Sequence, residues 1–456
     1  MKSIYRSIPS IDKVLNHPKL LSMKKEHPRN LQLYFARKTI QSYRQAHSEL
    51  TSIPTIENIV DEILNNIDKL KTSSLKSVIN ATGVILHTNL GRAPLSDTAS
   101  HIMCQINSNY SNLEYDLNTG KRLTRLSHVE ELFQFLTGAE SVLIVNNNAS
   151  AIFLVASVLS KQKEILISKG ESVEIGGGFR ISDIINESGA KLIEVGTTNK
   201  TYIEDYQKAI TSECNVLLKV HTSNFKIIGF TESTEIEEMA RLSRENNLYM
   251  IHDLGSGCLV DSSKYGLNHE PTVQESIQAG MDLVLFSTDK LLGGPQAGVI
   301  LGKKELIDQI KIHPLARALR SDKASIAGLS ATLMHYVNQE FEKEIPIWRM
   351  ISRTTEDVLT TAQKWNSMFS GSEIIAGEST IGGGSLPGET IPSWLIGFKE
   401  DIHFSSYEMA KILRNEIPIP IIGKVQQDKF LLDPRTVLME EEKYLENAII
   451  KTLSKN

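Results

Sequence analysis

The chain has 456 residues, 41% of them hydrophobic and 23% charged, with a net charge of −5. That length and composition suit two or three globular domains with a sizeable core. No run approaches the ~18 apolar residues of a membrane span, and the charged, proline-broken start does not read as a secretory signal. The three scattered cysteines, Cys104, Cys214 and Cys258, offer neither a disulfide framework nor metal-ligand spacing. A soluble, cytoplasmic protein with no metal is expected.

Residues 1–50 hold ten Lys or Arg and three acids, so this end is +7 and the remainder −12. A basic module on an acidic body points to a polyanionic partner or to a solvated helical cap. Within it, LQLYFARKTIQSYRQAHSEL (31–50) predicts one amphipathic helix with Leu33, Ile40 and Tyr43 among its apolar positions and Pro28 just upstream. TIENIVDEILNNIDKL predicts a second, and the polar KTSSLK (71–76) a linker. A helical domain is therefore expected over 1–76.

Beyond it, short apolar runs alternate with helical patterns. SVLIVNN, EILISKG, KLIEVG, NVLLKVH, LYMIHDLG, DLVLFS and AGVILG, running from Ser141 to Gly302, predict strands. Near-continuous apolar strands joined by helices imply α/β architecture with a buried, mostly parallel sheet over 77–323. Ligands bind such sheets at the strands' carboxyl ends. Residues 324–456 predict a smaller α+β domain: a helical stretch broken at Pro346, a glycine-rich loop GESTIGGGSLPGETIPS (377–393), strands, and a helix from Glu440.

Three features carry chemistry. Lys290 in FSTDKLLGGPQAG follows a predicted strand by two residues and precedes the glycine pair Gly293 and Gly294. A lysine there either caps a turn or is a Schiff-base amine, anchored by a strand and free to swing. Asp253 in LYMIHDLGSG ends another strand; a carboxylate so placed can keep a pyridine nitrogen protonated. The strand-to-helix step at Asn147–Ser150 can offer backbone N–H groups and the Ser150 hydroxyl to a phosphate, with Ser287 adding a hydroxyl. An N-cap at Asn148 explains the same residues without a ligand. Taken together the three favour a pyridoxal phosphate enzyme. No GxxxxGK[ST] or HExxH motif competes, and the runs GGGF (176–179) and GGGS (382–385) do not follow the dinucleotide fingerprint. His87 and His221 each follow a strand-like run and either border the same pocket or serve as structural histidines.

With these residues located, the chain resembles the bacterial L-seryl-tRNA(Sec) selenium transferases, pyridoxal phosphate enzymes also called selenocysteine synthases. The resemblance spans nearly the whole chain. It is carried most specifically by INATGVILHTNLGRAPLS, VEIGGGFRISD, EVGTTNKTY, VHTSNFKIIGF, HDLGSG, EPTVQESIQAG, FSTDKLLGGPQAG, HPLARALRSDK and GGSLPGETIPS. It implies a type I, aminotransferase-like fold and conversion of seryl-tRNA(Sec) to selenocysteinyl-tRNA(Sec), with selenophosphate as donor, through an aminoacrylyl intermediate. It further implies a cytoplasmic homodecamer built as a pentamer of dimers, with residues 1–76 binding tRNA. On this resemblance Lys290 is the cofactor lysine and Asp253 the partner of the ring nitrogen, with Asn148, Ala149, Ser150, Ser287 and His221 also at the cofactor. Arg92, Arg317 and Arg320 are ligands of the selenophosphate anion, and the i,i+3 spacing of the last two suits one helical turn. Asp289 is a candidate for proton transfer. Glu171, Glu174 and Arg180 border the pocket without an assigned role. Lys169, Ser172 and Thr288 stand where relatives more usually have Arg, Leu and Gly, and a β-branched Thr288 stiffens the backbone before Lys290. The rival readings are a small-molecule pyridoxal phosphate lyase or aminotransferase acting on free amino acids, and a non-catalytic tRNA-binding protein. The basic N-terminal segment speaks against the first, and Lys290 with Asp253 against the second.

Overall fold

In a computed structural model the chain is described over residues 8–45, 54–175, 178–399, 405–415 and 417–454. The expected helix beyond Gln45, the charged Lys2, Arg6 and Glu49, and Gly176 and Gly177 of the GGGF run lie outside these residues. Two compact units are formed, Met1–Ser77 and Val78–Asn456.

The first unit is helical. Short helices Ile11–Leu15 and Pro18–Ser22 precede two longer ones, Arg29–Gln45 and Ile56–Lys71. Local chemistry sets their starts. Ser10 caps the first through Lys13 N–H at 3.2 Å, Pro18 occupies the first turn of the second, and Thr55 caps the fourth through Asn58 N–H at 3.2 Å. Ile59, Val60, Ile63 and Ile67 fall on one helical face and bury against Phe35, Ala36, Ile40, Val14 and Leu20. Leu33 and Tyr43 pack on the margin of this core.

The second unit contains, in chain order, β1 (Ile79–Asn80), β2 (Val84–Leu86), β3 (Ser141–Val145), β4 (Glu164–Ser168), β5 (Glu174–Ile175), β6 (Phe179–Arg180), β7 (Lys191–Val195), β8 (Cys214–Val220), β9 (Tyr249–Gly255), β10 (Leu283–Ser287), β11 (Gly298–Gly302), β12 (Ser372–Gly382), β13 (Thr390–Lys399), β14 (Ile421–Ile422), β15 (Lys424–Gln426) and β16 (Lys429–Leu432). The seven predicted strands form one sheet in the order β3-β11-β10-β9-β8-β4-β7. All run parallel except β11, which is antiparallel to both neighbours. Strands β3, β10 and β11 are buried at every position, which explains their unbroken apolar character. The carboxyl ends of β3, β8, β9 and β10 therefore share one edge.

A second sheet has the order β15-β16-β13-β12-β2. Here the expected glycine-rich loop is mostly strand: β12 and β13 form a long hairpin, and only residues 383–389 turn. The glycine content reflects close packing, since a Cβ at Gly377 would meet Leu395 Cδ1 at 2.7 Å. Residues 79–86 close the sheets from the other end of the chain. β1 pairs with β14, and β2 with β12. No helix among the described residues is long and apolar enough to cross a membrane.

Candidate active site

One cleft at the shared strand edge is lined by Thr88, Gly91, Arg92, Asn147, Asn148, Ala149, Asp253, Ser287, Asp289, Lys290 and Gln296, with Ile152, Ile181 and Ile184 as its apolar wall. Register brings the key groups together. Asp253 lies opposite Val220 on β8 and Leu285 on β10. The β9–β10 ladder then slips, and Phe286 faces Gly255.

Lys290 sits in a loop fixed at both ends. Thr288 N–H donates to Ala297 O at 3.0 Å, Gly294 N–H to Thr288 O at 2.8 Å, and Gly293 N–H to Lys290 O at 2.9 Å. The buried Thr288 hydroxyl donates to Pro295 O, so its stiffness braces the turn. Among the described residues no hydrogen bond or ion pair reaches Lys290 Nζ. Burial holds its ammonium below the usual lysine range, opposed by the Asp253 carboxylate. The tip of the β12–β13 hairpin lies against it, and a Cβ at Gly384 would stand 2.5 Å from Lys290 Cε.

Asp253 is buried and receives Asn148 Nδ2–H at 2.7 Å on Oδ1. Burial raises its carboxyl above the ordinary range, against the pull of Asn148, Lys290 and His221. The N-cap of helix Asn148–Leu159 is Asn147, not Asn148, and its side chain takes Ser150 N–H at 2.8 Å. That donor is thus spent inside the helix cap. Asn148 and Ala149 line the cleft and Ser150 does not. His221 follows β8; its N–H donates to Asp253 O at 2.9 Å, and its Nε2 lies 3.2 Å from Glu270 Oε2.

Arg92 adopts φ +65° after Gly91, a conformation costing a non-glycine residue about 1–2 kcal/mol. Its guanidinium donates to the buried Asp289 Oδ2 at 2.7 Å. Arg317 and Arg320 are not brought to this cleft. Helix Pro314–Ala318 ends at Leu319, so the expected helical turn does not continue. Arg320 instead bridges Val145 through its backbone, and its side chain faces Glu114 at 3.9 Å. Glu171 is a buried structural partner, accepting Val220 N–H at 2.9 Å and pairing with Lys219 at 2.7 Å. Glu174 and Arg180 pair with each other at 2.9 Å on the surface, and His87 is half-buried, with a buried Nδ1 that has no hydrogen-bond partner among the described residues. Among the described residues no group of His, Cys, Asp and Glu could hold a metal. Sequence patterns did not single out the Asn148–Asp253 bond, Thr88, Gln296 or Glu270, although the last three each lie in a stretch that carries the family resemblance.

An unpaired strand-end lysine and a buried strand-end carboxylate, sharing one cleft of this aminotransferase-like fold, define a type I pyridoxal phosphate enzyme. The fold itself is also that of D-glucosaminate-6-phosphate ammonia-lyase, which is 21% identical, with a TM-score of 0.58 over 86% of this chain and 99% of that one. Residues 78–438 match the family model for L-seryl-tRNA selenium transferase. The L-seryl-tRNA(Sec) selenium transferase of Alkaliphilus oremlandii is 43% identical over 98% of each chain. That of Carboxydothermus hydrogenoformans is 44% identical over 99% of this chain and 98% of its own. The chain belongs to the L-seryl-tRNA selenium transferase family.

Proposed function

We propose that this protein converts L-seryl-tRNA(Sec) to L-selenocysteinyl-tRNA(Sec), with pyridoxal 5′-phosphate as cofactor and selenophosphate as selenium donor. The observation that carries the reading is the unpaired Lys290 amine beside a carboxylate held by Asn148. The donor set fits the cofactor: Lys290 for its aldehyde, Asp253 for its ring nitrogen, and Asn148, Ala149 and Ser287 for its phosphate. Buried polar atoms without partners also gather here, among them Asn148 Oδ1 and Asp289 Oδ1, as suits a polar ligand site. When bound, the cofactor supplies an electron-withdrawing ring that stabilises negative charge at the substrate α-carbon.

The chain's own groups do the rest. Burial enlarges the neutral fraction of Lys290, which serves as nucleophile and proton carrier. Asp289 aims Arg92 with one oxygen and keeps the other for a proton. Arg92 presents its remaining donors to the selenophosphate anion. Arg320 starts two residues' reach from the cleft wall, being bridged to Val145, and its long ion pair with Glu114 leaves it free to swing toward an anion; Arg317 is exposed. In this reading residues 77–323 bind the cofactor and 324–456 cover it. Residues 1–76 hold the tRNA body by backbone and shape contacts. Exposed Lys24, Lys25, Arg37, Lys38 and Arg44, without ion-pair partners among the described residues, support that role. The working form is a cytoplasmic homodecamer, a pentamer of dimers.

The test compares the intact protein with one lacking residues 1–70, supplied with seryl-tRNA(Sec) and selenophosphate. Conversion by the intact protein alone is expected. Equal conversion by both would remove the tRNA role of the N-terminal unit. Turnover of free amino acids without any tRNA conversion would favour a small-molecule lyase.

A further inference from the structure

Glu270 is 1% exposed and lies between the turn Ser262–Tyr265 and helix Val273–Gln278. Its N–H is pinned to Ser262 Oγ at 2.8 Å. One carboxylate oxygen meets His221 Nε2 at 3.2 Å, and the other is buried without a partner. Among the described residues no Lys or Arg pairs with it. A buried carboxylate whose protein partner is a single histidine is costly for a purely structural role. The backbone N–H of His221 donates to the backbone carbonyl of Asp253 at 2.9 Å, and its ring Nδ1 has no hydrogen-bond partner among the described residues. The carboxylate, the ring and the strand end bearing Asp253 thus form one chain of contacts. Through space Glu270 acts on Lys290 and on the buried Cys258, and His221 acts on Asp253 and on the buried His252.

We propose that Glu270 is a positioning residue: its contact with Nε2 fixes the His221 ring beside the strand end that carries Asp253, and so holds the Asp253 end of the cofactor cleft in place. No sequence motif links the two residues; tertiary structure alone brings them together. The inference rests on the cofactor reading above.

The experiment uses full-length protein and four forms: wild type, Glu270→Gln, His221→Asn and the double variant. Pyridoxal phosphate affinity is titrated, and the absorbance spectrum of the bound cofactor is recorded, with no substrate present. Glu270→Gln is expected to weaken binding by about tenfold, the loss of a hydrogen bond to a charged group, and to change the spectrum. In the His221→Asn background it should add nothing. An unchanged affinity and spectrum, an equal loss in both backgrounds, or a Glu270→Gln chain that fails to fold would each overturn the proposal. A wild-type protein that forms no borohydride-reducible adduct at Lys290 would overturn the cofactor reading itself, and this inference with it.

Discussion

Arg92 and Asp289, 197 residues apart, are joined by a 2.7 Å ion pair one residue before Lys290. The guanidinium is thereby aimed from a backbone that holds it at φ +65°. Arg92→Lys keeps the cation but loses the fork. We expect kcat/KM for selenophosphate to fall about tenfold or more, with KM for seryl-tRNA moved far less. An equal rise in both KM values would argue that Arg92 holds the tRNA instead.

Asp253 trades stability for function. Burial raises its folded-state pKa, so between the ordinary and the raised value the folded chain binds more protons than the unfolded one. Stability therefore falls as pH rises through that interval. Cofactor-free Asp253→Asn should melt above the wild type at neutral pH. The gap should close below the ordinary carboxylate value of about 3.9. Its turnover should drop by about 10²-fold, as expected when a preorganised charge is removed. A variant that melts no higher would mean that the carboxylate is already compensated without cofactor.

Gly384 and Gly388 share the hairpin tip, both with positive φ, +93° and +75°. A methyl at either costs about 1–2 kcal/mol of backbone strain. Only at Gly384 would it collide with Lys290; at Gly388 nothing lies within 4 Å. Thermal melting should fall similarly in Gly384→Ala and Gly388→Ala. Formation of the reducible lysine adduct, read by mass spectrometry, should slow only in the first.

His252 is buried with Nδ1 at 2.9 Å from Ser276 Oγ, and burial aided by the His221 and Lys219 charges lowers its pKa to about 3. From its ordinary value down to that point the unfolded chain takes up the proton and the folded chain does not. Stability from this site is complete above the ordinary value and is lost as pH falls, by about 1.4 kcal/mol per pH unit. Urea midpoints of His252→Gln should vary less with acid than those of wild type. Parallel profiles would place the acid sensitivity elsewhere.

The large sheet was legible because most of its strands are buried over most of their length and read as apolar runs; their polar endings then pointed to Asp253, Ser287 and Lys290. The β12–β13 hairpin was not, because Gly377 and Gly384 there allow close packing against Leu395 and Lys290 while Ser379 and Ser393 donate to Asp433, and composition alone cannot distinguish that from a loop. Arg317 and Arg320 were expected to share a face. That inference assumed a continuous helix, whereas Leu319 ends it and Asn146 N–H takes the Leu319 carbonyl at 2.9 Å. Glu270 opens the EPTVQESIQAG stretch, yet nothing there points to His221, which lies 49 residues away.

The pairing of β1 with β14 and of β2 with β12 has a bearing on how the molecule is made. The segment leading to Arg92 is synthesised early, yet its neighbours emerge from the ribosome only near the end. Long-range pairings of this kind delay folding. A nascent chain halted before Gly382 would already own the amine and both acids, but β1 would lack its strand partner and β2 much of its own, leaving the arm that carries the arginine held at Asp289 alone. Catalytic competence is thus withheld until translation is all but finished.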